Sequence, residues 1–480
     1  MALSASVVLE VRTTGSDTNG GGFKTGASGT DWSQQASAQY SVTDGVTNGT
    51  TTITSATASF GTDVVGNLIY VQGGTGSITA GWYEITSRTN STTIVVDRST
   101  GLTTGTGVTL KIGGALASPG QAAAIKILTA GITVYIKYGT YTLTTSSSNV
   151  AGGRIDDTQG GTQGARGGWI GYDTTRTPFN TDANRPTISA GSVTSLTNGI
   201  LYVNGSYSAN MVNNIIFDAN SGSSNVGIRV SNASLTLLNR CHVANATAGG
   251  FDIRGAVVLN GCSATGCSTT PAFNTFQPSG ATFINCHAYA NSIHGFGGDG
   301  AAAYFRCYST ANTGSAKGWY RTVTAYGTDT FAVGCVAYNN ASDGWYFDSN
   351  CRSAVIQNCI SISNGGYGFY SSLANTGSIL FQKCATYNNT SGAFHSNILS
   401  ESQIGSITLS GNPFTNAGSN DFSLDNTASE GAALRGIGVP LPPSLTHVDY
   451  SDVGGAQHQD SGGGGTTVAA FGGFLGGFQS

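Results

Sequence analysis

Between Ile215 and Phe394 one phrase recurs: an apolar residue, two further residues, Cys, a small residue, Asn, then Gly before an aromatic. Its cysteines are Cys241, Cys262, Cys286, Cys307, Cys335, Cys359 and Cys384, spaced by 21, 24, 21, 28, 24 and 25 residues. Asn291, Asn312, Asn340, Asn364 and Asn389 stand five residues after their cysteines. Phe251, Phe296, Trp345, Phe369 and Phe394 stand ten after, Phe273 eleven and Trp319 twelve. A period of 20 to 30 residues, rich in strand formers and without helical periodicity, describes a solenoid in which each copy is one coil.

The physical form of such a chain is all-β, a parallel β-helix. Each coil hydrogen-bonds to the coils above and below at roughly 4.8 Å per step. Side chains alternate along a strand, so each cysteine and the small residue two positions on share a side. Both are expected in the narrow interior, where a small soft apolar group packs well. The Asn ladder is expected at a corner, because Asn tolerates left-handed backbone angles and stacks amide on amide. Glycine before most of the aromatics allows a second corner. Phe217 with Gly227 and Ile228 reads as an earlier copy without its cysteine.

The nine cysteines therefore read mainly as a ladder of free, buried thiols. Regular bridging between neighbours one coil apart fits poorly. Cys267 and Cys351 stand off the ladder, where a thiol can reach the surface. In Cys241-His242 and Cys286-His287 the adjacent groups point to opposite faces of a strand, so no metal site follows. No cofactor is expected.

Three regions are expected: a β-rich domain at 1–112, a parallel β-helix with a helical cap at 113–435, and a Pro/Gly-rich tail at 436–480. In the first, Thr51–Thr54, Leu68–Val71, Trp82–Ile85 and Thr93–Val96 are short strands between Gly, Asn and Ser turns. In the second, Pro119 followed by Gln121-Ala122-Ala123-Ala124 predicts a short helix over Ser118–Leu128, placed to cover the first open edge of the solenoid. A long loop is expected around Ile155–Thr177, with Trp169 and Tyr172 in it. Asn412–Phe414 and Asp421–Leu424 are expected to pair. The last stretch carries Phe471, Phe474 and Phe478 among glycines and reads as a docking peptide.

Charged residues make up only 9% of the chain and the net charge is −4, so neither nucleic acid nor an acidic membrane surface is indicated. No stretch has the length of a transmembrane helix. Residues Met1–Arg12 lack the basic-then-apolar pattern of a secretory signal, so work outside a cell implies release by lysis or a specialised route.

The stacked Cys, Asn and aromatic ladders resemble the right-handed parallel β-helix proteins of the pectin-lyase-like superfamily. Gly113–Leu116 through Val134–Tyr141, and Tyr450–Gln457, are similar to segments of its viral and bacterial members. Glu10–Phe23 and Ile69–Ile85 resemble segments of tailed-phage structural proteins. The resemblance implies a fold shared by polysaccharide lyases, hydrolases, phage tailspikes and capsid decoration proteins that do no chemistry. It also implies a homotrimer, which the surplus of aromatics in Trp345-Tyr346-Phe347 supports, since alternation forbids all three from facing inward.

Hydrolysis of a glycosidic bond needs two carboxylates. From Ile85 to Ser400 there is no glutamate. Asp252, Asp299 and Asp348 follow their aromatics by one, three and three residues and are the candidate acids. Trp319, Trp345 and Tyr346 are the candidate sugar-stacking surface. The acidic cluster that holds calcium in the resembling lyases is not recognisable. The leading reading is a non-enzymatic virion protein on a phage capsid or tail, bound to other virion proteins through one terminus and touching host polysaccharide. The alternatives are a tailspike-like depolymerase, lyase or glycoside hydrolase, using the three aspartates, and a secreted adhesin.

Overall fold

The computed structural model describes residues 3–127, 129–158, 167–204, 210–232, 236–276, 279–322, 329–349, 351, 353–372, 379–427, 430–439 and 452–456. Three sheets of 13, 11 and 10 strands form a solenoid whose coils give one parallel strand to each; the first sheet also takes in Gly22–Lys24, antiparallel to Val7–Val11. The coil at Cys286 is typical. Gly280–Ile284 lies in the first sheet, His287–Tyr289 in the second and Phe296–Gly298 in the third. Registers are unbroken from coil to coil, as in Val258↔Thr282↔Ala303 on the first sheet. Parallel strands joined by such crossovers take the right-handed connection.

Interior ladders fill the coils. All seven repeat cysteines are buried and unbridged, as are Cys267 and Cys351, so the surface places allowed to those two are corrected. Each thiol donates to a carbonyl of the preceding coil, for example Cys262 Sγ to Leu238 O at 3.3 Å and Cys384 Sγ to Ile356 O at 3.4 Å. Burial pushes the Cys384 thiol up to about 12. Asn291, Asn312, Asn340, Asn364 and Asn389 are linked by Nδ2–H···Oδ1 bonds of 2.9, 2.7, 3.0 and 2.9 Å. The left-handed residue at that corner is the one before each ladder Asn: Ala290, Ala311, Asn339, Ser363 and Asn388, with φ between 49° and 56°. The Asn amides bond one another and also accept from backbone N–H groups of the preceding coil, as Asn312 Oδ1 does from Asn291 N at 3.1 Å. Cys267 occupies the same slot in its coil, its N–H donating to Asn291 Oδ1 at 2.9 Å.

The expected helix runs over Pro119–Lys126, with the Ser118 side chain accepting from Gln121 N. It covers the first coil and buries Ala122, Ala123 and Ile125. Beneath it Lys126 pairs with Asp157. The stretch expected as a loop over Ile155–Thr177 instead carries two solenoid strands, Ile155–Asp157 and Gly167–Tyr172, because Trp169 faces the interior.

Six antiparallel strands between Tyr40 and Ile112 close a barrel, and they include all four predicted strands. The barrel has its own core around Phe60, Ile69, Tyr83 and Leu110. The first residues do not belong to it. Val7–Val11 pairs in parallel with Thr133–Lys137, so the solenoid begins before the barrel and resumes after it. At the junction Gly20 N donates to Gly113 O and Gly21 N to Gly114 O, at 2.9 and 2.8 Å. A Cβ on Gly20 would lie 2.0 Å from Leu68 O, so only glycine permits that approach.

Asp421–Leu424 forms a strand pair, with Phe414–Asn416 rather than the expected Asn412–Phe414. With Leu434 and Val453 they pack on the outer face of the second sheet around Val336 and Ile360. The phenylalanines of the tail lie outside the described residues.

Candidate functional site on the third sheet

One residue after each inward aromatic, the third sheet turns a side chain outward. Asp252, Asn274, Gly297, Tyr320, Tyr346 and Tyr370 are direct register partners and form one outer column. His395 follows Phe394, the partner of Phe369, and extends it. The column holds one of the three candidate acids and one of the three candidate stacking residues.

Asp252 is buried, with 4% of its side chain exposed. Arg229 Nε donates to its Oδ2 at 2.8 Å, and Arg254 Nε and Nη2 donate to Oδ1 and Oδ2 at 2.9 and 3.1 Å. The Arg254 guanidinium in turn lies 4.5 Å from the Phe276 ring centroid. A carboxylate accepting from two guanidiniums is an ion-pair partner whose oxygens are already engaged. Asp299 and Asp348 lie on a different column, that of Arg254, after the end of the strands. By the coil step they stand roughly 10 Å apart, at the outer limit of what an inverting pair uses. Asp348 Oδ1 accepts from the Ser349 amide at 2.5 Å. The fold therefore does not bring the three acids together on one line.

Trp319 and Trp345 do not reach the surface. Both are 0% exposed and stack face to face at 4.0 Å and 4° inside the coil. They continue the row Phe251–Phe273–Phe296, whose centroids are 4.6 and 4.8 Å apart. As sugar-stacking residues they are corrected: their slot is the same inward slot that the phenylalanines fill.

Tyr346 does face outward. Tyr320, Tyr346 and Tyr370 follow one another at 5.2 and 4.9 Å. His294 closes one end, 4.3 Å from Tyr320, and His395 the other, 4.3 Å from Tyr370. Lys317 Nζ hangs over Tyr320 and Tyr346 at 5.3 and 4.7 Å, a cation held by two ring faces. Burial, and then the Lys317 charge, hold the His294 imidazole down at about 4, so it is neutral at pH 7. Burial also lowers Lys317, opposed by Asp343. Sequence reasoning did not single out His294, Lys317, Tyr370 or His395 for this site. Tyr370 and His395 carry a simple signal, one position past the inward aromatic.

Several solved structures align with part of this chain. Pectate lyase Pel9A aligns over 72% of this chain and 92% of its own, with 15% identity and a TM-score of 0.49. The A-module of the Azotobacter vinelandii mannuronan C-5 epimerase AlgE4 aligns over 57% of this chain and 73% of its own, with 16% identity and a TM-score of 0.41. ORF18 of Geobacillus virus E2 aligns over 58% and 52%, with 15% identity and a TM-score of 0.39. The fold is that of the right-handed parallel β-helix proteins. No family model and no curated protein sequence matches the chain. Among the described residues, no group of three His, Cys, Asp or Glu side chains is placed to hold a metal ion.

Proposed function

We propose that this β-helix is a non-enzymatic structural protein of a virion, displayed on a capsid or tail surface through one terminus. The observation that carries the reading is Asp252. The one candidate acid on the sheet face is paired with both Arg229 and Arg254 in a closed cluster, which favours a structural part for it. The buried free thiols suit a protein assembled in a reducing host cytoplasm before release. Its expected partners are other virion proteins and two further copies of itself, with no cofactor.

Two measurements test this. Antibody labelling of purified particles is expected to decorate their surface, and absence of the chain from particles would sink the reading. Reducing-sugar and ultraviolet absorbance assays on a panel of bacterial polysaccharides are expected to stay at baseline. Product release abolished by Asp299→Asn and Asp348→Asn would establish the depolymerase alternative instead.

A further inference from the structure

The outward ring row on the third sheet is partly exposed, and its chemistry is specific. His294, Tyr320, Tyr346, Tyr370 and His395 are all partly exposed, and with Lys317 and Tyr367 they form one continuous patch. Contiguous exposed aromatics on a protein surface mark an interaction site. We propose that this row binds a neutral, extended glycan that lies along the solenoid axis. The inference rests on the non-enzymatic reading only for the fate of the ligand, which is held and not cut.

The geometry supplies the orientation. One ring is presented per coil, at steps of roughly 4.8 Å, so the row is linear and repeats along the axis rather than around it. A linear polymer with a repeating contact matches that array, and a compact ligand would use only one or two rungs. The rings are not closed against one another. His294 and Tyr320 are tilted by 42°, Tyr320 and Tyr346 by 40°, and Tyr370 and His395 by 39°. Only Tyr346 and Tyr370 lie flat, at 7°. The tilts keep most of the rings from closing flat on one another. Each rung thus offers an apolar face and a hydrogen-bonding group. Pyranose units present the same pair, a C–H face and a rim of hydroxyls.

The charge pattern selects the neutral class. His294 carries no charge at pH 7. Among the described residues Lys317 is the cation seated over the rings, and Asp343 and Asp348 both lie close enough to act on the tyrosines of the row. Two carboxylates against one ammonium repel a polyanion.

The test uses the full chain in affinity electrophoresis through gels cast with dextran, glucomannan or xylan as neutral polymers, and alginate or polygalacturonate as acidic ones, beside a glycan array. Retardation by at least one neutral polymer or array glycan is expected, with binding that strengthens with chain length to about five units. Tyr346→Ala with Tyr370→Ala is expected to weaken it by roughly tenfold or more. Tyr202→Ala, in the same outer column nearer the cap, serves as the control and is expected to leave binding unchanged. Both variants change outward side chains, and equal circular dichroism spectra check that they fold. The proposal is overturned by binding that survives the double variant, by stronger binding of the acidic polymers, or by no neutral glycan bound on gel or array; a protein captured on the same residues without any glycan would also overturn it. Release of sugar products from a bound neutral glycan would overturn the non-enzymatic reading and leave this one standing.

Discussion

Replacing Lys126 with Met should leave a carboxylate sealed inside the first coil without its ammonium. Lys126 Nζ lies 2.8 and 2.9 Å from the two oxygens of Asp157, and Asp157 Oδ2 also accepts the Trp169 Nε1–H at 2.7 Å. The side chains are 1% and 0% exposed, so solvent does not screen the pair. An exposed ion pair is worth about 0–1 kcal/mol. Breaking a buried one costs roughly 3–5 kcal/mol, because the surviving charge stays desolvated. Asp157→Asn strands the ammonium and is expected to cost a similar amount. The double variant Lys126→Met with Asp157→Asn removes both charges and keeps an oxygen for Trp169, so it should cost only about 1–2 kcal/mol. The order is the point: the double variant should be more stable than either single. Hydrogen exchange at the amides of Thr133–Lys137, directly under the cap, reads the local opening free energy. Each single variant should exchange roughly 100-fold to several thousand-fold faster than the parent there, by about 1.4 kcal/mol per tenfold. A single Lys126→Met that exchanges within about threefold of the parent, or a double variant worse than both singles, would refute the reasoning.

Three further outcomes are expected. Cys335→Phe should overpack the interior and cost about 1–3 kcal/mol in urea unfolding, and thiol titration with Ellman's reagent should find the cysteines unreactive when folded and all nine reactive in denaturant. Burial holds His242, His287 and His294 down at about 4, and a base whose folded pKa is depressed takes up protons only on unfolding. Stability is therefore full above about pH 6.5 and falls as the pH drops toward 4, by roughly 1–2 kcal/mol per histidine at pH 5; His287→Phe should flatten that slope, and an unchanged urea midpoint between pH 6.5 and 4.5 would contradict it. Light scattering at micromolar concentration is expected to give the mass of a homotrimer, and the mass of one 48.7 kDa chain would exclude it.

The fold was legible because its signal is repetition. Once Cys, Asn and aromatic recur at fixed offsets, period-two alternation decides which side chains meet inside. The same rule places Trp319 and Trp345 inside, since they share the slot of Phe251 and Phe296; reading them as sugar-stacking residues weighed their chemistry above their position. Cys267 stands five residues after Cys262, the Asn offset, so its burial was also written in the spacing. Asp252 is different. Its partner Arg229 is 23 residues away, and only the coil-to-coil register Arg229↔Asp252 makes them neighbours. Coil lengths vary between copies, so that register cannot be counted off the chain. The strand Val7–Val11 was hidden for the same reason, since its partner lies beyond the whole barrel.

That interruption has a consequence for how the molecule can be rebuilt. The chain leaves the solenoid after Gly22–Lys24 and returns at Gly113–Gly114, and the two crossing points are hydrogen-bonded to each other. The insert is held there as a bead is held by a clasp, and it also reaches the rest of the chain through Lys24 with Glu84 and Arg176 with Asp31. A replacement must bring both ends out side by side and remake or forgo those outlying contacts. A different domain with neighbouring termini could be spliced there, and the ladder of coils beyond Thr133 would find the same first rung, Val7–Val11, waiting to be paired. Recombination at this seam would exchange the head of the protein and keep its shaft.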